Sequence, residues 1–154
     1  EESVVTLDVG IIVDAEVVNI RQSPSMEGRI LDTTRRGEFF LVEEKELLDE
    51  EGEAWVKIRY RGESAYVYSE YLHQMVWNTD ILVNMAEVLE RDVMVYAEPD
   101  SESEVLYRAY KGEPMLLYSS GDADWCKVFY SGKEAYVPAD QLSVKKVSIL
   151  ELLE

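Results

Sequence analysis

The sequence predicts an all-β protein built from two small antiparallel β-barrels in tandem. Three observations lead to this prediction: short segments rich in Val, Ile, Tyr and Phe, frequent Gly, Pro and Ser between them, and an internal repeat. No apolar stripe with the 3.6-residue period of an amphipathic helix runs through the repeated parts. Because a repeat defines the structural unit, each copy is interpreted as one domain.

The repeat appears as matched residues at two offsets. At an offset of 75, residues 18–24 match residues 93–99, and Gly37-Glu38 matches Gly112-Glu113. At an offset of 70, residues 55–60 match residues 125–130, and residues 65–67 with Leu72 match residues 135–137 with Leu142. One internal loop is therefore five residues shorter in the second copy.

The offsets also set the predicted domain limits. Residues 9–74 form the first predicted barrel and residues 83–144 the second, with extensions at residues 1–8 and 145–154. The C-terminal extension is apolar enough to dock as a strand or a short helix. Residues 75–82 contain Trp77 and other apolar residues but no Gly, Pro or Ser, which predicts a structured linker with Trp77 packed between the domains.

The predicted elements of the first copy follow from its alternating apolar segments and its turn residues. Strands are expected at residues 17–22, 29–34, 39–44, 54–59 and 64–68, with a solvated loop within the acidic stretch 43–53. Gly62, like Gly132 in the second copy, can take the positive φ that a tight hairpin needs. Single helical turns are expected at residues 69–72 and 139–142, and Pro138 suits a strand end.

The composition limits the classes of partner. There are 15 Lys and Arg against 32 Asp and Glu, a net charge of −17, so nucleic acids and anionic wall polymers are not expected to bind. A neutral, zwitterionic or cationic partner fits better. No apolar run reaches the roughly 20 residues of a membrane helix, so no membrane insertion is expected. The chain starts at Glu1 without Met, which is compatible with a removed signal peptide or anchor, or with a shortened chain.

The order of motifs in the first copy resembles that of bacterial SH3 (SH3b) domains. The motifs are residues 15–25, Arg36-Gly37-Glu38, residues 55–58, residues 65–67 and Tyr71-Leu72. The second copy keeps Pro99, Lys111-Gly112, Trp125, Lys127, Val128 and Leu142, but it has Met94, Tyr96 and Gln141 where the family has Asn, Arg and Tyr. Both copies have Ala-Tyr in place of the family's Gly-Trp.

This resemblance implies two SH3-like barrels in an extracytoplasmic or cell-wall associated protein. Members of the family attach to cell-wall hydrolases or sensors, and several bind peptidoglycan peptides. The acidic and aromatic motifs with which eukaryotic SH3 domains bind polyproline are not evident in this sequence.

The sequence does not predict an enzyme. Cys126 and His73 are the only thiol and imidazole, and Cys126 shares side-chain parity with Val128, which predicts a buried strand position rather than a reactive thiolate. Among 32 carboxylates some close pair is expected by chance, so none is interpreted as catalytic. Residues 49–52 lack the spacing of an EF-hand loop, one cysteine excludes a multi-cysteine metal site, and no cofactor is expected.

The candidate ligand-binding residues are aromatic. Trp55 and Trp125 have opposite parity to the core residues beside them, which predicts side chains on the outer or groove-facing side. With Tyr66, Tyr71 and Tyr136 they offer flat apolar surface with polar tips, suited to stacking on a peptide or a sugar. The alternative is that these rings cover the end of a barrel or pack one domain on the other.

Three functions remain open from the sequence. The first is a non-catalytic binding module that holds a peptide-like ligand around Trp55 and Tyr71, with the second copy mainly structural. The second is the targeting part of a cell-wall hydrolase whose catalytic domain lies outside these residues. The third is a protein-interaction scaffold, with a partner protein, in which the aromatic surfaces pack between the two barrels.

Overall fold

A computed structural model describes residues 6–118, 124–130 and 133–153. These residues form fourteen β-strands, two 3-10 helices and one short α-helix, so the all-β prediction is confirmed. Contacts divide the chain into two units. Unit 1 comprises the described part of Glu1–Ile81 and Ser148–Glu154, and unit 2 comprises that of Leu82–Val147.

Unit 1 contains one seven-stranded antiparallel sheet in the order β3-β2-β6-β5-β4-β1-β7. The strands are β1 Thr6–Ile12, β2 Val17–Arg21, β3 Ile30–Arg35, β4 Phe39–Leu48, β5 Ala54–Tyr60, β6 Glu63–Tyr68 and β7 Leu72–Asn78. A 3-10 helix, Ser69–Tyr71, joins β6 to β7. The core is formed by Ile12, Val18, Ile20, Val42, Val56, Ile58, Ala65, Val67 and Leu72. Unit 1 also includes the C-terminal helix α1, Ile149–Leu152, in which Ile149 is fully buried.

Unit 2 contains a four-stranded sheet, β10-β9-β13-β12, and a three-stranded sheet, β11-β8-β14. The strands are β8 Leu82–Val88, β9 Val93–Tyr96, β10 Val105–Ala109, β11 Pro114–Leu116, β12 Trp125–Tyr130, β13 Lys133–Pro138 and β14 Leu142–Ser148. A second 3-10 helix, Ala139–Gln141, precedes β14. In the described residues the sheets of both units are open rather than closed by a ring of hydrogen-bonded strands.

The strand registers reproduce the sequence repeat. In unit 1, Arg21 pairs with Tyr66, and in unit 2 their equivalents Tyr96 and Tyr136 pair in the same way. Equivalent registers also join β5 to β6 and β12 to β13, where the pairs are Val56↔Val67, Ile58↔Ala65, Cys126↔Val137 and Val128↔Ala135. The two copies therefore share the pairing of these strands as well as their sequence pattern.

The predicted turns have the backbone conformations that their glycines allow. Gly37 and Gly112, equivalent in the repeat, have φ of 96° and 87°. The hairpin between β5 and β6 turns at Arg61 and Gly62, with φ of 51° and 80°. Two successive residues in the left-handed region are typical of tight hairpins, which confirms the turn predicted at Gly62. The corresponding turn at residues 131–132 lies outside the described residues.

The prediction of a solvated loop within residues 43–53 is wrong for its first half. Strand β4 continues to Leu48, and only residues 49–53 form the turn to β5. Ion pairs join the acidic part of β4 to β5. Oε2 of Glu43 lies 2.8 Å from Nε of Arg59, and Oε1 of Glu44 lies 3.5 Å from Nζ of Lys57. Opposite charges across the two strands therefore stabilise a segment whose composition resembles a loop.

The segment between the two copies is also more regular than a linker. Strands β7 and β8 include most of residues 75–82, and β7 pairs along its whole length with β1. Trp77, expected between the domains, packs edge to face on Phe39 of unit 1, with ring centroids 6.0 Å apart. Residues 6–8, predicted as an extension, belong to β1. The C-terminal extension forms both of the structures considered for it, the end of β14 and α1.

Candidate functional site

Trp55, for which the sequence predicts an outer or groove-facing side chain, is buried and is not part of the core cluster that contains Val56 and Ile58. Its exposed fraction is 1%, and the next residue of the strand, Val56, is buried as well. The indole N–H donates a 2.9 Å hydrogen bond to Oδ2 of Asp49, in the turn between β4 and β5. The ring packs edge to face on Tyr68 at 5.5 Å. The turn and β6 thus cover the outer side of Trp55, which strand alternation alone does not anticipate.

Tyr68 links Trp55 to the predicted site residue Tyr71. Its ring centroid lies 5.8 Å from that of Tyr71, and its hydroxyl donates a hydrogen bond to Oε2 of Glu53. This hydrogen bond, with a smaller contribution from burial, raises the pKa of Tyr68 to about 12. We call Trp55, Tyr68 and Tyr71 the aromatic row of unit 1. Tyr68 was missing from the predicted site because the sequence identified it only as the end of a strand.

The equivalent region of unit 2 is built differently around Trp125. The ring of Trp125 is half-buried and packs edge to face on Tyr96, with centroids 5.5 Å apart. Tyr96 occupies the position of Arg21 in unit 1, and the guanidinium of Arg21 donates to the carbonyls of Met26 and Gly28, both at 2.9 Å. The ring of Tyr96 in unit 2 therefore replaces the guanidinium of Arg21, which in unit 1 is hydrogen-bonded to the loop that follows β2.

A cleft of about 230 Å³ opens beside Tyr96. We call it the unit 2 cleft; it is lined by Arg91, Asp92, Val93, Met94, Tyr96, Pro138 and Gln141. Pro138 and Gln141 are the equivalents of Tyr68 and Tyr71 in the repeat. At these two positions, unit 2 therefore has smaller side chains than the tyrosines of unit 1.

The structure places only part of the predicted site beside this cleft. Trp125 contacts Tyr96 and is paired with Pro138 across the strands, and Tyr136 is paired with Tyr96. Tyr66 is half-buried on β6 in unit 1 and is paired with Arg21. The cleft residues were absent from the predicted site, although the mismatches between the copies at Met94, Tyr96 and Gln141 were the signal for them.

Two segments of the chain match one protein family. Residues 16–73 and residues 92–143 both match the bacterial SH3 domain. The chain belongs to the bacterial SH3 domain family. The two segments fall in unit 1 and unit 2 respectively, so the predicted tandem of SH3b domains is confirmed. SH3b domains form a family of non-catalytic binding domains.

Two solved structures show similarity to the tandem SH3b chain. They are NlpC2 and NlpC1 from Trichomonas vaginalis, each 15% identical in sequence, with TM-scores of 0.35 and 0.34. The similarity covers 94% of this chain but only 50% and 48% of those two chains. The chain thus spans about half the length of the solved structures it matches. A comparison with curated proteins gave no match.

The single thiol and the single imidazole lie in different SH3b units. Cys126 is buried in the core of unit 2, as predicted, and burial raises the pKa of its thiol. His73 is half-buried on β7 of unit 1. Among the described residues, no group of three or more His, Cys, Asp or Glu side chains is arranged to hold a metal ion. None of the described helices has the length and apolar character needed to cross a membrane.

Proposed function

We propose that this chain is a non-catalytic binding module that holds a peptide-like ligand in the unit 2 cleft. The observation that carries the proposal is the cleft beside Tyr96, which is lined by Pro138 and Gln141 where unit 1 has the larger side chains of Tyr68 and Tyr71. The cleft is concave and brings charged and polar groups together with an aromatic ring, and a ligand site needs such groups to orient what it binds.

The lining of the cleft suits a peptide. Met94 and Tyr96 are half-buried and offer apolar surface, while Arg91, Asp92 and Gln141 provide charge and hydrogen-bonding groups at the same place. A peptide presents both kinds of chemistry, because its backbone donates and accepts hydrogen bonds and its side chains can pack on an aromatic ring.

Unit 1 takes a structural role in this proposal. Within its aromatic row, the indole of Trp55 and the hydroxyl of Tyr68 are already hydrogen-bonded to Asp49 and Glu53. A ligand would have to displace these partners before it could bind the same groups. The proposal therefore reverses the expectation from the sequence, which placed recognition around Trp55 and Tyr71 and regarded the second copy as mainly structural.

The ligand class that we propose is a cell-wall peptide. Membership of the bacterial SH3 family supports an extracytoplasmic, cell-wall associated binding role. The net charge of −17 is less favourable for anionic polymers than for ligands without net negative charge. Peptides of the wall fit this requirement when their charges balance.

The test uses co-sedimentation with purified peptidoglycan and a variant that fills the cleft. Pro138→Tyr with Gln141→Tyr introduces the residues of unit 1, and the backbone accepts them because Pro138 and Tyr68 have φ of −56° and −62° with the same ψ of 131°. Val144→Tyr is the matched control, since it adds a tyrosine at an exposed position of β14 that does not line the cleft.

We expect the wild type and Val144→Tyr to sediment with peptidoglycan at low and high salt, and the double variant to stay in solution. Retention at high salt excludes binding through long-range charge alone. Circular dichroism checks that each variant folds. Equal retention of the folded double variant would refute recognition in the unit 2 cleft, and no retention of the wild type would refute peptidoglycan as the source of the ligand.

A further inference from the structure

We infer that the unit 2 cleft selects a zwitterionic peptide end, with Arg91 binding a free carboxylate and Asp92 binding an ammonium group. The inference rests on the proposed function and specifies the ligand class of the same site. Its basis is the pair of opposite charges on Arg91 and Asp92, whose equivalents in unit 1 are Glu16 and Val17.

Arg91 is a cation at a position where unit 1 has an acid. Its equivalent is Glu16, which lies 3.4 Å from Arg35 in an ion pair. Arg91 is exposed, lines the cleft, and takes part in no ion pair with any residue that the structure describes. A guanidinium that forms no ion pair with the described residues is available to a ligand, and its planar set of donors matches a carboxylate.

Asp92 supplies the opposite charge next to Arg91 in the chain. Its equivalent in unit 1 is Val17, an apolar side chain that is 51% exposed. Asp92 has φ of 52°, in the left-handed region, where Asp and Asn are more readily accommodated than most residues. The two charges therefore lie together on a fixed turn at the cleft, and neither has a counterpart of its own kind in unit 1.

The charge of the whole chain favours a ligand that carries both signs. A net charge of −17 disfavours the approach of a ligand with net negative charge. A peptide end with one carboxylate and one ammonium has no net charge and can still form a charge-assisted hydrogen bond with Arg91. Asp92 then prevents the cation at the cleft from attracting anions indiscriminately.

Three peptide probes separate the contributions of the two charges. Nα-acetyl-Lys-D-Ala-D-Ala carries both a carboxylate and an ammonium, its C-terminal carboxamide lacks the carboxylate, and its Nε-acetyl derivative lacks the ammonium. Each is titrated into the ¹⁵N-labelled chain at low salt, and the indole N–H of Trp125 reports binding because its ring contacts Tyr96. The variants are Arg91→Gln and Asp92→Asn, with Lys111→Gln as a control for the loss of a surface cation.

We expect the zwitterionic probe to bind roughly tenfold more tightly than its carboxamide, as a charge-assisted hydrogen bond at a partly exposed site allows. We also expect the zwitterionic probe to bind more tightly than the Nε-acetyl probe. Arg91→Gln should abolish the preference over the carboxamide, and Asp92→Asn should abolish the preference over the Nε-acetyl probe. Lys111→Gln should preserve both preferences. Equal affinity of the wild type for the acid and the carboxamide would overturn the inference, as would the absence of binding by all three probes. The peptidoglycan experiment decides separately whether the proposed function stands.

Discussion

The carboxylate of Asp49 holds both the indole of Trp55 and the hairpin turn that covers it. Its Oδ2 accepts the indole N–H at 2.9 Å, and its Oδ1 accepts the backbone N–H groups of Glu51 and Glu53, also at 2.9 Å. One side chain therefore fixes the turn between β4 and β5 and satisfies the only polar atom in the side chain of a buried tryptophan.

Replacement of Asp49 by Ala should destabilise unit 1. The change leaves the indole N–H of Trp55 without its partner in a buried environment, which is unfavourable, and it frees the turn. Urea unfolding followed by tryptophan fluorescence should show a lower midpoint for Asp49→Ala than for Glu50→Ala, which removes a neighbouring exposed carboxylate. The interpretation fails if the two variants unfold at the same urea concentration.

The hydrogen bond from Tyr68 to Glu53 should raise the pH at which the phenol of Tyr68 loses its proton. The pKa of Tyr68 is raised from 10.0 to about 12, and its first cause is this hydrogen bond. Because the folded pKa lies above the unfolded one, the stabilisation is complete below pH 10 and is lost as the pH rises towards about 12.

Phenolate absorbance of the wild type minus that of Tyr68→Phe isolates this titration. In the Glu53→Gln background the midpoint of this titration should move towards pH 10. The carboxylate that accepts the hydrogen bond of the phenol, and whose charge disfavours the phenolate, is then absent. Glu50→Gln serves as the control and should leave the titration unchanged. An unshifted titration in Glu53→Gln would show that another group controls Tyr68.

Thr34→Val should stabilise unit 1 by about 1 kcal/mol, because a buried hydroxyl without a partner is costly and Val has nearly the same shape. Thr34 is 3% exposed, and its Oγ1 has no hydrogen-bond partner within the described part of the chain. Its equivalent in unit 2 is Ala109, which is buried without a polar atom. Urea unfolding measures the gain, and Thr33→Val on the exposed side of β3 is the control. A loss of stability would indicate that the hydroxyl does have a partner, such as an ordered water.

Gly112→Ala should destabilise unit 2 by about 1–2 kcal/mol, because a Cβ is unfavourable in the left-handed region. Gly112 has φ of 87°, and no atom lies within 4 Å of the position that a Cβ would take, so the effect is conformational rather than steric crowding. Gly112→Asn should recover part of the loss, since Asn tolerates this region better. Equal stability of the Ala variant and the wild type in thermal unfolding would contradict the assigned turn.

Much of the fold was predictable because it depends on local sequence. The glycines at 37, 62 and 112 mark turns by their conformational freedom, and the offsets of 75 and 70 predict the registers that the strands adopt. The burial of Cys126 followed from strand alternation in the same way. These features need little information from distant parts of the chain.

The burial of Trp55 could not be predicted in this way. Strand alternation assigns opposite sides to Trp55 and Val56, yet both are buried because Asp49 and Tyr68 approach Trp55 from outside the strand. The continuation of β4 through acidic residues likewise depends on Arg59 of the next strand. Both outcomes are tertiary contacts that a local pattern does not contain.

The cleft was even harder to predict from the sequence. Its lining comes from residues 91–94 and Tyr96 and from Pro138 and Gln141, more than forty residues later in the chain. The mismatches between the copies were visible, but their meaning depends on which side chains face one another. The space beside Tyr96 is evident only from the three-dimensional arrangement of these side chains.

The shared strand registers make each unit an internal reference for the other. Every residue of β9 and β13 has an equivalent in β2 and β6 with the same hydrogen-bonded neighbours, so side chains can be exchanged between the copies one position at a time without a change of pairing. The differences between the two copies can therefore be tested within a single molecule, and the open cleft of unit 2 can be assigned to individual side chains.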